Sequence, residues 1–151
     1  MFVSQTAEYA LRAMTQIALL PDRVAVTVAD LAAATAIPEA YLSKVMRKMV
    51  KAKLVTGRKG HGGGFRLARA PGDISLGNVL AAAGLEYDPT HCAFGWARCN
   101  SASPCALHFA WSELTDRCRS WGRDVTLLDV IERARTTVTL RQRPARTSSD
   151  R

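Results

Sequence analysis

Acidic residues are scarce in the first part of this chain. Residues 1–70 hold four Asp and Glu against eleven Lys and Arg, in a chain of 151 residues with a formal charge of +8. So basic a stretch points away from cationic partners and toward a polyanion, nucleic acid first. Residues 71–136 reverse the sign, eight acids against six bases, and residues 137–151 return to four bases against one acid. Long apolar runs are missing too, so no segment is expected to span a bilayer. The opening MFVSQTAEYALRAM has no basic leader and places Glu8 and Arg12 where a signal peptide would be apolar, so a cytoplasmic protein is expected. Catalytic groupings are absent as well. Glu8, His61 and His108 are the acid–base candidates, but they lie far apart with no nucleophile or substrate-loop signature around them, and no enzyme is expected. A composition of 48% hydrophobic and 23% charged residues is that of a globular chain able to bury a core.

Cysteine is also sparse, with four in all, yet three fall in one short stretch, CAFGWARCNSASPCALH. They stand as Cys92-x6-Cys99-x5-Cys105, and His108 follows the last at Cys-x2-His. Gly95, Asn100, Ser101, Ser103 and Pro104 make most of this segment loop. Three thiolates and an imidazole in one loop select soft metal centres: zinc, copper(I) or iron–sulfur. In a reducing compartment such a cluster binds metal or senses redox state more often than it forms structural disulfides. The alternatives are a structural zinc knot and a metal-free thiol–disulfide switch at the same cysteines.

Along the chain, Ala7, Ala10, Leu11, Met14, Ile17 and Ala18 form one helical stripe over residues 4–20. Thr27 and Asp30 read as a capping box that opens a short helix to about Thr35, and Ala36-Ile37-Pro38 reads as a tight turn. The helix from Pro38 to Lys53 then has a core face of Leu42, Val45, Met46, Met49 and Val50. Tyr41, Ser43, Lys44, Arg47, Lys48 and Lys51 fall on the other side. Helix, tight turn and basic helix make a helix-turn-helix. Two strand-like runs, residues 54–58 and 65–69, flank the tip Lys59-Gly60-His61-Gly62-Gly63-Gly64, whose glycines permit close approach to another molecule. The expected fold is therefore mostly α with a small β wing: a winged helix-turn-helix DNA-binding domain. Tyr41, Ser43, Lys44 and Arg47 are expected in the major groove and Lys48, Lys51, Arg58 and Lys59 on phosphates. His61 with Gly60, Gly62, Gly63 and Gly64 is expected at the minor groove.

Ser75 caps a further helix from Leu76 to about Ala83, which Gly84 ends. From about Cys105 to Arg123 a longer helix carries Leu107, Trp111, Leu114, Cys118 and Trp121 in alternating steps of four and three. That seam calls for a partner helix, and a second copy of the chain is the simplest one. Cys118 belongs to this seam and reads as packing. Thr126 and Asp129 cap a last helix, and the polar, basic end with its proline is expected to be disordered. The expected organisation is a DNA-binding domain over 1–84, a cysteine-rich loop over 85–104, a dimerisation helix and last helix over 105–136, and a tail over 137–151.

Over residues 3–135 the chain resembles the Rrf-two family of bacterial winged-helix regulators, the group that includes IscR and NsrR. The resemblance rests on SQTAEYALRAM, AYLSKVMRKMVKAKLV, the wing GHGGGFRLARAPGDISLGNVL, and Cys92, Cys99, Cys105, Pro104 and His108. It implies a homodimeric transcription factor, a repressor or an activator, on a palindromic operator. It also implies a 2Fe-2S or 4Fe-4S cluster held by the three cysteines, whose occupancy changes DNA affinity. Nitric oxide, redox stress, iron or cluster supply would be the signal. The fourth ligand matches His108, three residues after the last cysteine, or else Glu8, where a first-helix carboxylate comes from the other subunit; local spacing favours His108.

Overall fold

The computed structural model describes residues 3–21, 24–60, 62–88, 91–96 and 100–136. His61, Cys99 and the tail at 137–151 lie outside them. Within the described residues the elements run α1 (Gln5–Ala18), α2 (Val28–Thr35), α3 (Glu39–Lys51), β1 (Val55–Arg58), β2 (Gly64–Leu67), a 3-10 turn at Pro71–Asp73, α4 (Leu76–Ala83), α5 (His108–Asp124) and α6 (Leu127–Thr136). No helix among the described residues is long and apolar enough to cross a membrane.

α1 is the axis of the head. Ser4 caps it by accepting the Ala7 amide, and Ala7, Ala10, Ala13, Met14, Ile17 and Ala18 are buried along its length. Small residues at these positions let α2, α3, α4 and α6 all pack against one helix. The space between them is filled by Met14, Leu31, Leu42, Met46, Met49, Ile74 and Leu127, all fully buried. Each such side chain contributes roughly 1.5–3 kcal/mol through burial. Arg12 braces the head from outside, donating to the Thr35 carbonyl at 3.1 Å and to the Glu8 carboxylate at 2.6 Å.

Thr27 does cap α2, accepting the Asp30 amide, but the pair is not a reciprocal box. The Asp30 carboxylate takes the Thr27 hydroxyl, at 2.7 Å, instead of the Thr27 amide. Reciprocal boxes form at Ser75–Asn78 and at Thr126–Asp129. The hydroxyl and amide of Thr126 together hold the Asp129 carboxyl below its usual range. Val50 also departs from expectation: it is 38% exposed, because α3 buries a narrower stripe than its apolar residues allow. α5 begins at His108 rather than Cys105, with no side chain capping it.

β1 and β2 pair antiparallel, Val55 with Leu67 through Arg58 with Gly64. A single residue of the α1–α2 connection extends the sheet, since Val26 and Phe65 exchange amide and carbonyl at 2.9 and 2.8 Å. The α5–α6 corner is stitched to the start of α4 in the same manner, by Leu76 N–H to Val125 O and Leu127 N–H to Ile74 O. Just beside that stitch α4 and α5 cross glycine on glycine. A Cβ on Gly77 would stand 2.9 Å from the Gly122 carbonyl oxygen.

Candidate nucleic-acid interface and cysteine loop

The helix-turn-helix is formed by α2, a turn and α3. The turn is tight because Ala36 adopts the left-handed conformation, φ 53 and ψ 37, directly after α2. A second left-handed residue, Lys53 at φ 58, ends α3, with Leu54 N–H bonded to Met49 O and Lys53 N–H to Val50 O. This hydrogen-bonded stop turns the chain straight into β1 and fixes the wing against α3.

On α3, Lys44, Arg47 and Lys51 are exposed and Ser43 is half-buried. Tyr41 is held by α1. Its hydroxyl lies 2.8 Å from Thr6 Oγ1, and its ring meets Tyr9 edge-on at 5.1 Å. Lys48 points its ammonium at the Ala83 carbonyl, 3.1 Å away. Between α3 and the wing runs a groove of about 450 Å³, floored by Thr27 and Val28 at the start of α2 and walled by Arg47, Arg58 and Lys59. Among the described residues no carboxylate lines it. Three cations around the positive end of a helix make a local field that favours an anion.

The wing's glycines act in two ways. Gly60 and Gly62 sit at φ 93 and 70 with open space around them, so their backbone conformation is what they supply. Gly63 and Gly64 are needed for space. A Cβ on Gly63 would run into the Arg58 carbonyl, and one on Gly64, at φ 141, would stand 2.6 Å from the Val26 carbonyl oxygen. Gly64→Ala is expected to cost about 1–3 kcal/mol through overpacking and backbone strain, read as a lower midpoint in denaturant melting. An unchanged midpoint would mean that the Val26–Phe65 pairing contributes nothing to the fold.

Between α4 and α5 the described residues form turns and bends without helix or strand. Cys92 is 2% exposed yet lies outside the main core, and its carbonyl accepts the Gly95 amide in a turn. Phe94 and Trp96, 5.4 Å apart, stand exposed beyond it. The far end of the loop is a turn in which Cys105 O accepts the His108 amide, so Cys105 lies one turn ahead of α5 and His108 is its first residue. The loop is tied back to α5 by the Trp111 indole N–H, which donates to His91 O at 2.9 Å. Cys92, Cys105 and Cys118 are free thiols. Among the described residues no three potential ligands gather as a metal site, and Cys99 lies outside them. Glu8, the other expected ligand, is paired with Arg12 on α1.

The α5 seam divides into two rows. Leu107, Leu114 and Trp121 are exposed, whereas Trp111 and Cys118 are half-buried on the side of their own chain. Cys118 borders a cleft of about 510 Å³ between α4, residues 85–88 and α5. Its neighbour there is Tyr87, whose phenol is pushed above its usual range first by burial and then by the Cys118 thiol. The Tyr87–Cys118 neighbourhood, the Lys48–Ala83 bond and the Gly77–Gly122 crossing leave no trace in the sequence, because each joins positions with no local signal linking them.

Comparison with known proteins agrees with this architecture. Residues 3–133 match the family model Rrf2, described as an iron-dependent transcriptional regulator. The HTH-type transcriptional regulator IscR of Vibrio atlanticus is 34% identical over 132 residues, 87% of this chain and 76% of that protein. IscR of Vibrio vulnificus is 33% identical over 131 residues, 87% of this chain and 77% of its own. Among solved structures, CymR, the global cysteine regulator of B. subtilis, superposes with a TM-score of 0.73 at 21% identity, over 87% of this chain and 96% of that one. IscR of T. potens superposes with a TM-score of 0.72 at 22% identity, over 91% of each chain. These relatives are transcriptional regulators and not enzymes, in keeping with the absence of any catalytic grouping in the sequence. Winged fold and near-complete sequence match converge: the chain belongs to the Rrf2 family of transcriptional regulators.

Proposed function

We propose that this protein is a cytoplasmic homodimer that grips a roughly palindromic DNA operator, with a grip set by an iron–sulfur cluster in the loop between α4 and α5. The observation that carries the reading is the acid-free groove between α2, α3 and the wing, with Arg47, Arg58 and Lys59 on its walls. Lys44 and Arg47, exposed on α3, reach base edges, where Lys and Arg pair with guanine O6 and N7. Lys51, Arg58 and Lys59 meet phosphates and set register, and the wing glycines enter the minor groove. The donor set suits the cluster: three thiols, one of them buried in the loop, and the His108 imidazole are soft ligands that hard cations do not select. When bound, the cluster would supply a centre that reacts with oxidants and nitric oxide. Cys92, Cys99 and Cys105 of the loop and His108 at the start of α5 would hold it, and Trp111 orients the loop on α5. Releasing the loop would let the two heads change their spacing, and a few kcal/mol of bias suffices to shift operator occupancy.

The orientation of α3 is tested by comparing Lys44→Ala with Lys51→Ala on a set of operator duplexes. Lys44→Ala is expected to relax base preference at one position per half-site by about 1–3 kcal/mol of discrimination. Lys51→Ala is expected to weaken all duplexes alike and to lower the salt slope of binding by about one. The same uniform loss from both substitutions would mean that α3 presents a different face.

A further inference from the structure

The register of α3 turns Lys48 outward with Lys44 and Lys51, toward the side where a duplex would lie. Its ammonium nevertheless donates to the carbonyl of Ala83, the last residue of α4. That carbonyl belongs to a helix end whose other groups are largely satisfied. Gly84 adopts φ 92 and ψ 22, Leu85 N–H reaches back to Leu80 O and Gly84 N–H to Ala81 O, each at 2.9 Å. This closes α4 as a hydrogen-bonded stop and leaves the Ala83 oxygen for a donor from elsewhere. α4 has no basic residue in its own last turn, so the positive charge favoured by its dipole comes from α3.

The segment leaving that helix end is the stem of the cysteine loop. Tyr87 follows and lines a cleft together with Cys118 of α5, and Cys92 comes five residues later. We infer that Lys48 is a positioning residue, a strut from the recognition helix to the stem of the cysteine loop, and that it carries changes in the loop to α3 instead of neutralising a phosphate. An ammonium has three donors, so one bond to Ala83 does not by itself exclude DNA. Counterion release separates the two roles: a phosphate contact contributes to the salt slope and a strut does not. The transmission part of the inference rests on the loop being the controlling element, as proposed above. The strut part does not.

The test uses the full chain, cluster-loaded and cluster-free, as wild type, Lys48→Met, Lys48→Arg and Lys51→Met. The probe is a duplex selected from random sequence by the wild-type protein. In the cluster-free form, Lys48→Met should keep the wild-type salt slope while Lys51→Met lowers it by about one. Hydrogen exchange at the Gly84 and Leu85 amides should speed up in Lys48→Met and not in Lys48→Arg. The affinity ratio between loaded and cluster-free protein should fall about threefold or more in Lys48→Met and recover in Lys48→Arg. A slope lowered by about one with unchanged exchange would make Lys48 a phosphate contact and overturn the inference. A large wild-type ratio that Lys48→Met leaves intact would overturn the transmission alone. A wild-type protein that binds equally in both forms would instead overturn the reading of the loop as the control, with slope and exchange still deciding whether Lys48 is a strut.

Discussion

With Cys92 replaced by alanine, the protein purified without oxygen is expected to be folded, pale and free of iron and acid-labile sulfide, whereas the parent protein is coloured. Cys92 is nearly fully enclosed, but it stands apart from the main core, so losing one sulfur atom there costs on the order of 1 kcal/mol and spares the head. Far-ultraviolet dichroism should therefore match the parent while visible absorbance disappears. Operator affinity should move to that of cluster-free parent protein, a change of about 5- to 150-fold if the coupling is of ordinary size. A Cys92→Ala protein as strongly coloured as its parent would remove Cys92 from the ligand set. A colourless parent carrying one zinc per chain would replace the switch with a structural metal.

The second large effect is expected at Leu114. Leu107, Leu114 and Trp121 recur every seven residues and are 38%, 37% and 47% exposed, a spacing that keeps them in one row along α5. A charge in the middle of that row should separate two copies packed through it. Leu114→Glu is expected to sediment as a monomer and to lose about 100- to 10,000-fold in affinity for a two-half-site duplex, because the second half-site no longer adds its local concentration. Its affinity for a single half-site should stay near the parent's. The control is Glu113→Gln, whose side chain pairs with Arg117 on a more exposed part of α5. If Leu114→Glu remained dimeric, the row would have to be serving something other than self-association.

Much of this architecture could be read before any coordinate was known, where the signals are local. Ser75 and Gly84 bracket α4 because a hydroxyl at the start and a left-handed residue at the end are chemical requirements confined to a few positions. The wing announced itself through clustered glycines, and the basic face of α3 through its periodicity. Other features depend on what lies across space. Ala36 and Lys53 take backbone conformations usually left to glycine, so neither helix end carried its usual mark. Spacing places Val50 in the core, but the element opposite it is the wing, which leaves it partly in solvent. In the candidate sites, residue types and register were legible while partners were not. Tyr41 and Lys48 share an outward register with Lys44, yet one is fastened to Thr6 and the other to Ala83.

The glycine pair where α4 meets α5 bears on how such a regulator can diverge. Gly77 and Gly122 bring two main chains together with no side chains meshed between them, so nothing like a gear tooth fixes the angle at that point. In the dimer proposed above, a methyl group gained at either residue would act as a shim, tilting each reading head relative to the two-fold axis. If that dimer reads two half-sites, a lineage could retune the distance between them by a single-residue change, without altering any residue proposed to touch a base.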